Sequence, residues 1–188
     1  MPHDEVVVLN TDKGLAENPR THRLGAISTR LLVGLATFIV VLDQVTKAIV
    51  RMMLPLHQSV EIIPGFINFT QVHNTGVAFG FLNAVDIPFK PVLMTAIALV
   101  ALIAIGTFAM RTNADEPLTK IGLALVFGGA AGNLIDRITS GYVIDFMDVY
   151  WGTWHFWAFN IADSAITVGA CLLILEMTLL NRHVSTSI

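Results

Sequence analysis

The stretch VLMTAIALVALIAIGTFAM, residues 92–110, contains no charged side chain. About 20 consecutive apolar residues in a helix cross the hydrocarbon core of a bilayer, so this stretch predicts a membrane span. Three further segments have similar length and character: about 31–53, 118–134 and 161–180. Hydrophobic residues make up 54% of the chain and charged residues 13%, against roughly 25% charged residues in soluble domains. We therefore expect a mainly α-helical membrane domain with four transmembrane helices at 31–180.

Four spans put both chain ends on one side of the membrane, and the basic residues indicate which side. The terminal side carries Lys13, Arg20, Arg23, Arg30, Arg111, Lys120 and Arg182. The opposite side carries Arg51, Lys90 and Arg137. Because Lys and Arg are enriched in cytoplasmic loops, we expect both termini in the cytoplasm. Residues 1–30 are polar and lack aromatic residues, which predicts a disordered extension, and 181–188 form a short tail.

The segment between the first two spans has the pattern of a β-hairpin. SVEII (59–63) and FINFTQV (66–72) are rich in strand-forming residues, and Pro64-Gly65 marks a turn between them. We expect a small β-hairpin or cradle at about 56–80 on the extracytoplasmic surface. Before the last span, Trp151, Trp154 and Trp157 predict anchors at headgroup level; contacts with a lipid-bearing substrate are the alternative.

Several functional classes are disfavoured by composition. The net charge is −3, which gives no reason to expect a nucleic-acid partner. The single cysteine, Cys171, lies in the last span and excludes a disulfide framework. His57, His73 and His155 do not form a zinc-binding motif such as H-E-x-x-H. We expect neither a metal nor another cofactor.

Two sets of polar residues lie within the spans or at the end of one, where ionisable groups are functional candidates. Asp43 and Lys47 are four residues apart and can form an ion pair on one helix face; a structural and a catalytic role both remain open. Asn133, Asp136 and Arg137 share one face if the third helix continues that far. Asp136 and Arg137 could neutralise each other, or Arg137 and Asn133 could bind peptide carbonyl groups of a substrate.

Two aspartates are predicted at the extracytoplasmic end of the last span. Asn160 can cap the helix there, and Asp163 lies in its first turn. Asp145 lies in the preceding segment YVIDF, which we interpret as a loop that can bring it to Asp163. Two carboxyl groups in a poorly solvated site do not both ionise readily, so one keeps a proton. Such a pair can activate water against a peptide bond without a metal.

Two other functional classes fit parts of this pattern. Asp43, Asp136 and Asp163 could form the proton relay of a small transporter or channel. Four spans without an inverted repeat leave little room for an alternating-access core, and the polar residues gather at one end of the spans. In a non-enzymatic scaffold, this clustering of Asn, Asp and Arg would have no role.

Five motifs together resemble one known family. They are LDQVTK (42–47), HNTGVAFG (73–80), GNLIDR (132–137), YVIDF (142–146) and FNIADSAI (159–166). Each motif is weak alone, but their order and spacing within four spans resemble the bacterial lipoprotein signal peptidases, or signal peptidase II. The resemblance covers about residues 31–180 and does not extend to the first 30 residues.

This resemblance implies an aspartic endopeptidase of the inner membrane. Members remove signal peptides from prolipoproteins just before a cysteine that carries a diacylglyceryl group, and globomycin-type cyclic peptides inhibit them. The implied catalytic dyad is Asp145 and Asp163. The implied substrate-binding residues are Asn74, Asn133, Arg137 and Asn160, and the supporting polar residues are Asp43, Lys47 and Asp136. We expect membrane lipid as a partner and a monomeric enzyme.

Overall fold

The computed structural model describes residues 27–76, 87–112 and 116–185, with side chains described as far as residue 178. Its four helices are α1 (Thr29–Met53), α2 (Lys90–Arg111), α3 (Pro117–Ser140) and α4 (Ile161–Ser185). Each is long and apolar enough to cross a membrane. The four predicted spans are therefore confirmed. Part of the predicted β region, 77–80, and the extension up to residue 26 lie outside the described residues.

Helix α3 lies at the centre of the helical bundle and packs against α1, α2 and α4. Its glycines allow this close packing. A Cβ atom added to Gly122 would lie 2.8 Å from the carbonyl oxygen of Gly169 in α4, and one on Gly128 would lie 2.8 Å from that of Ala36 in α1. Glycine at these positions lets the helix backbones approach each other, as in other membrane bundles.

The third helix extends beyond the predicted end near residue 134. It ends at Ser140, where Gly141 adopts a left-handed φ of 80° and its N–H donates to the carbonyl of Arg137. Glycine is the usual residue for this kind of helix end. As a result, Asn133, Asp136 and Arg137 all lie within α3. The expectation that they share one helix face required the helix to continue this far.

Four antiparallel strands form a sheet at one end of the bundle, in the order β1-β2-β3-β4. Strands β1 (Ser59–Ile63) and β2 (Ile67–Asn74) form the predicted hairpin, and Gly65 in its turn has φ 76°. The other two strands are β3 (Val143–Trp151) and β4 (Trp154–His155). The segment that contains Asp145, which the sequence analysis interpreted as a loop, is thus a strand.

Strand β3 joins the sheet to the helical bundle. Val143, Ile144 and Phe146 are among its most buried residues, with Ile144 fully buried. In contrast, Trp151, Trp154 and Trp157 are exposed. Exposed indole rings beside membrane-spanning helices suit the headgroup region of a bilayer. Their role as anchors stays a prediction.

Candidate active site

Asp145 lies in β3 opposite Val72 of β2 and is only 3% exposed. Both of its carboxyl oxygens accept hydrogen bonds from side-chain amides. Asn74 at the end of β2 donates to Oδ2 at 3.0 Å, and Asn160 donates to Oδ1 at 2.8 Å. These two asparagines fix the orientation of the carboxyl group at the junction of the sheet and the helices.

Asp163 lies in the first turn of α4, where it forms a reciprocal cap with Asn160. The N–H of Asp163 donates to Asn160 Oδ1 at 2.9 Å, and the N–H of Asn160 faces Asp163 Oδ2 at 3.4 Å. This is the capping-box arrangement of helix N-termini. The amide of Asn133 in α3 donates to Asp163 Oδ1 at 2.8 Å. The predicted cap by Asn160 is present.

Asn160 therefore contacts both acids, through its amide nitrogen to Asp145 and through its amide oxygen to the backbone of Asp163. It is only 1% exposed, so this bridge is held inside the protein. Both aspartates also line one cavity of about 740 Å³. The structure thus brings together Asn74, Asn133, Arg137, Asp145, Asn160 and Asp163, of which all but Asn160 line the cavity directly.

The environment of Asp145 favours its neutral form. Burial, followed by the nearby charge of Asp163, raises the pKa of Asp145 to about 7, while hydrogen bonds from Asn74 and Asn160 oppose this shift. A carboxyl group with such a pKa exchanges its proton near neutral pH. The two acids interact, so their titration belongs to the pair.

Behind the two acids lies a buried polar cluster around Lys47 of α1. Its ammonium group contacts Asp43 Oδ2 at 2.7 Å, Asp136 Oδ2 at 2.9 Å and Asn133 Oδ1 at 2.9 Å. Lys47 is 2% exposed and Asp43 is fully buried. The predicted ion pair between Asp43 and Lys47 is confirmed, and it extends to α3.

The two acids of this cluster also bind backbone groups next to the candidate dyad. Asp43 accepts a hydrogen bond at 3.0 Å from the N–H of Ala162, which precedes Asp163. Asp136 accepts one at 3.2 Å from the N–H of Ile144, which precedes Asp145. The cluster around Lys47 therefore holds the backbone next to each aspartate.

Arg137 lies on the cavity side of α3. It donates to the carbonyl oxygen of Gly76 at 3.1 Å and to that of Asn133 at 3.3 Å. Among the described residues, Asp136 pairs with Lys47 and not with Arg137. A direct ion pair between Asp136 and Arg137 is thus not found among the described residues, and the binding of substrate carbonyl groups by Arg137 and Asn133 stays a prediction. The guanidinium group already binds peptide carbonyls within the chain.

Gln44 also belongs to this site, although it was not predicted from the sequence. Its amide nitrogen lies 3.1 Å from Asp136 Oδ1, 3.1 Å from the carbonyl oxygen of Gly132 and 3.2 Å from Asp43 Oδ2. The feature of the sequence that could have indicated this role is the position of Gln44 inside an apolar span, next to Asp43. Within the described ranges, no group of three or more His, Cys, Asp or Glu residues could hold a metal ion.

The cavity continues from the aspartates along the helices. Met94, Ile97, Ala98 and Ala101 of α2 line one wall, and Ser164, Ile166, Thr167 and Val168 of α4 line the other. The small side chains of residues 98, 101 and 130 also line this groove. A largely apolar groove therefore leads from Asp145 and Asp163 along α2 and α4.

Comparison with known proteins relates this chain to one family. The sequence model of the family described as "Signal peptidase (SPase) II" matches residues 35–179. The lipoprotein signal peptidase of Geobacter metallireducens is 47% identical over 73% of this chain and 83% of its own. That of Symbiobacterium thermophilum is 43% identical over 81% and 97%, respectively. A solved structure described as a bacterial membrane enzyme superimposes with a TM-score of 0.73 at 34% identity, covering 82% of this chain and 91% of the other.

Proposed function

Because the chain belongs to the signal peptidase II family of aspartic peptidases, which remove signal peptides from lipoproteins, we propose that Asp145 and Asp163 are its catalytic pair. The observation that carries this proposal is the bridge of Asn160 between two aspartates in one cavity. Membership of this family favours peptidase activity over the transporter and the scaffold.

The proposed reaction starts with one proton shared by the two carboxyl groups. The charged carboxylate takes a proton from water while the water oxygen attacks the carbonyl carbon of the scissile peptide bond. The neutral carboxyl group donates a hydrogen bond to the carbonyl oxygen and stabilises its developing charge. The C–N bond then breaks, the leaving amine receives a proton, and the pair again holds one proton.

The surrounding polar residues have roles that follow from their contacts. Asn160 and Asn74 hold Asp145, and Asn133 holds Asp163. Arg137 borders the cavity, and its guanidinium group has five N–H donors. We assign Arg137 to the carbonyl groups of the substrate backbone, in addition to those of the chain itself.

We further propose that the apolar signal peptide lies in the groove between α2 and α4, inside the membrane. The cleaved bond precedes a cysteine that carries a diacylglyceryl group, whose acyl chains lie in the lipid. Each buried CH₂ contributes about 0.8 kcal/mol to membrane attachment, so lipidation favours the modified precursor. This arrangement requires the dyad near the extracytoplasmic face and both termini in the cytoplasm. Globomycin-type cyclic peptides would occupy the same groove, and one copy of the chain supplies all the proposed site residues.

A gel-shift cleavage assay tests this function. Purified protein in detergent is mixed with a diacylglyceryl-modified prolipoprotein, with EDTA present throughout. We expect cleavage by the unmodified enzyme and a loss of about a thousandfold or more in Asp145→Asn and Asp163→Asn. Cleavage that survives either substitution, in protein that elutes as folded, would place the chemistry elsewhere. If the folded unmodified enzyme did not cleave the precursor, the transporter interpretation would be favoured instead, and a measurement of proton flux would test it.

A further inference from the structure

Three basic side chains that take no part in the proposed reaction lie together at the sheet end of α1. Arg51 is in the last turn of α1, His57 is in the turn that follows, and His73 is in β2. We call this set the basic corner. It comes from three different local structures, so its assembly depends on the folded chain.

Contacts with neighbouring residues place the members of the basic corner in one region of the fold. Arg51 Nη2 lies 3.4 Å from Ser140 Oγ, and Tyr142, two residues further, stacks on the ring of His73 with centroids 3.8 Å apart. His57 has a left-handed backbone with φ 63°, and its N–H donates to the carbonyl of Gln71, two residues from His73. Burial and then the charges of Arg51 and His57 lower the pKa of His73. Arg51 and His57 therefore both repel a proton on the ring of His73.

This repulsion has no compensating acid in the part of the chain that the structure describes, where Arg51, His57 and His73 form no ion pair. Arg51 alone would complement the negative end of the α1 dipole. The histidines lie outside the helix, so that explanation does not extend to them. A guanidinium group near two imidazoles, with no acid paired to them, offers hydrogen-bond donors and positive charge to an anion.

The surroundings of the basic corner indicate that this anion is attached to a lipid. Met52 and Met53, beside Arg51, are 77% and 74% exposed, and Leu56 beside His57 is 44% exposed. These residues follow directly on a helix that can cross a membrane. Apolar side chains next to exposed basic groups at a helix end match acyl chains next to a charged headgroup.

We propose that Arg51, His57 and His73 bind the phosphate diester of an anionic phospholipid at headgroup level. The guanidinium group, the imidazole of His57 and Nδ1 of protonated His73 would donate charge-assisted hydrogen bonds to the phosphate oxygens. Nε2 of His73 lies 3.2 Å from Gln71 Nε2. His73 precedes Asn74, which holds Asp145. Such a lipid would therefore rest against the strand that positions one of the two acids.

The test measures the pKa of each histidine by NMR of protein labelled with ¹⁵N-histidine in lipid nanodiscs. Discs of phosphatidylcholine are compared with discs that contain phosphatidylglycerol. A negative surface raises the pKa of every nearby histidine, so His155, on the same sheet, serves as the internal reference. We expect phosphatidylglycerol to raise the pKa of His73 by about 1 more than that of His155.

Variants and a second anion complete the design. Arg51→Gln, and His57→Asn, whose new residue tolerates a left-handed backbone, should each remove the excess shift. Arg111→Gln, at the opposite end of the bundle, should retain it. Equal shifts of His73 and His155, or an excess that persists in Arg51→Gln, would overturn the proposal. So would inorganic phosphate producing the same shift in phosphatidylcholine discs, because the site would then bind free phosphate.

Discussion

Lys47 donates a hydrogen bond to Asn133 Oδ1 at 2.9 Å, and this contact determines which end of the amide faces the active site. With its oxygen bound to the lysine, Asn133 presents its nitrogen to Asp163 at 2.8 Å. Lys47 thus acts on the proposed dyad through a neighbour. The ion pairs of Lys47 also join α1 to α3.

Replacement of Lys47 by Met should therefore reduce both stability and activity. It leaves the buried carboxylates of Asp43 and Asp136 without their cation, a change that costs about 3–5 kcal/mol. Thermal unfolding in detergent and cleavage per folded molecule measure the two effects. Arg111→Met, at the exposed end of α2, is the matched control and should change neither. Adding Asp136→Asn to Lys47→Met should restore part of the stability, since one uncompensated charge is removed.

The pH dependence of cleavage should report the proton of Asp145. The pKa of this group is raised to about 7 by burial and by Asp163. Above that pH both acids are charged and no carboxyl proton remains for the carbonyl oxygen, so kcat/KM should fall as pH rises through about 7. A pH–rate profile with a lipidated substrate measures this. A profile that stays flat up to pH 9, with the enzyme still folded, would contradict the shared proton.

The same raised pKa predicts how stability changes with pH. The fold disfavours ionised Asp145, so the unmodified enzyme should lose stability as pH rises from about 4 through about 7. Asp145→Asn removes this ionisation. The free energy of unfolding of this variant, relative to that of the unmodified enzyme, should therefore be higher at pH 8 than at pH 5 by about 2 kcal/mol or more. An unchanged difference between the two pH values would show that Asp145 does not titrate in this range.

Cleavage should depend on the close packing of α3 against α4 next to Asp163. A Cβ added at Gly129 would lie 2.8 Å from Ile166 Cγ1 and closer still to the carbonyl oxygen of Ala162. Gly129→Ala should therefore displace the start of α4, reduce cleavage, and cost about 1–3 kcal/mol. Gly34→Ala is the control, because, apart from its chain neighbours and the nearby backbone of its own helix, no atom lies within 4 Å of its added methyl group. Equal activity of the two variants would mean that the site tolerates this displacement.

The proposed groove for the signal peptide can be tested without altering the polar residues. Ala101 lines the cavity, whereas its neighbour Val100 is 67% exposed and lies outside the lining. Ala101→Leu should narrow the groove and raise KM by about tenfold, and Val100→Leu should not. Cleavage kinetics on one lipidated precursor compare the two variants. A normal KM for Ala101→Leu would place the signal peptide elsewhere.

The sequence predicted those features that depend on local pattern. Long apolar runs indicated the four helices, and Pro64-Gly65 between strand-forming segments indicated the hairpin. Strand β3 was missed because its first residues, Val143 to Phe146, are all buried and do not alternate. The end of α3 was placed too early because the polar residues after 134 resemble an interface, although Gly141 marks the actual end.

The contacts between helices could not be predicted from the sequence for a related reason. A transmembrane helix that is apolar on all sides, such as α2, carries little information about which face meets its neighbours. The pairing of Lys47 with Asp43 follows from their spacing, but its contact with Asp136 depends on the rotation of α1 against α3. The position of Gln44 depends on the same rotation.

Asp145 lies on the sheet and Asp163 on the helical bundle, with Val143 and Ile144 buried where the two meet. In genetic terms, this division widens the set of alleles that abolish processing. Substitutions at this boundary between the sheet and the helices would separate the two acids while leaving both of them intact. A screen for loss of function should then recover Val143 and Ile144 alongside the aspartates. Suppressors of such alleles should lie on the other side of the boundary between the sheet and the helices, and not at the two aspartates.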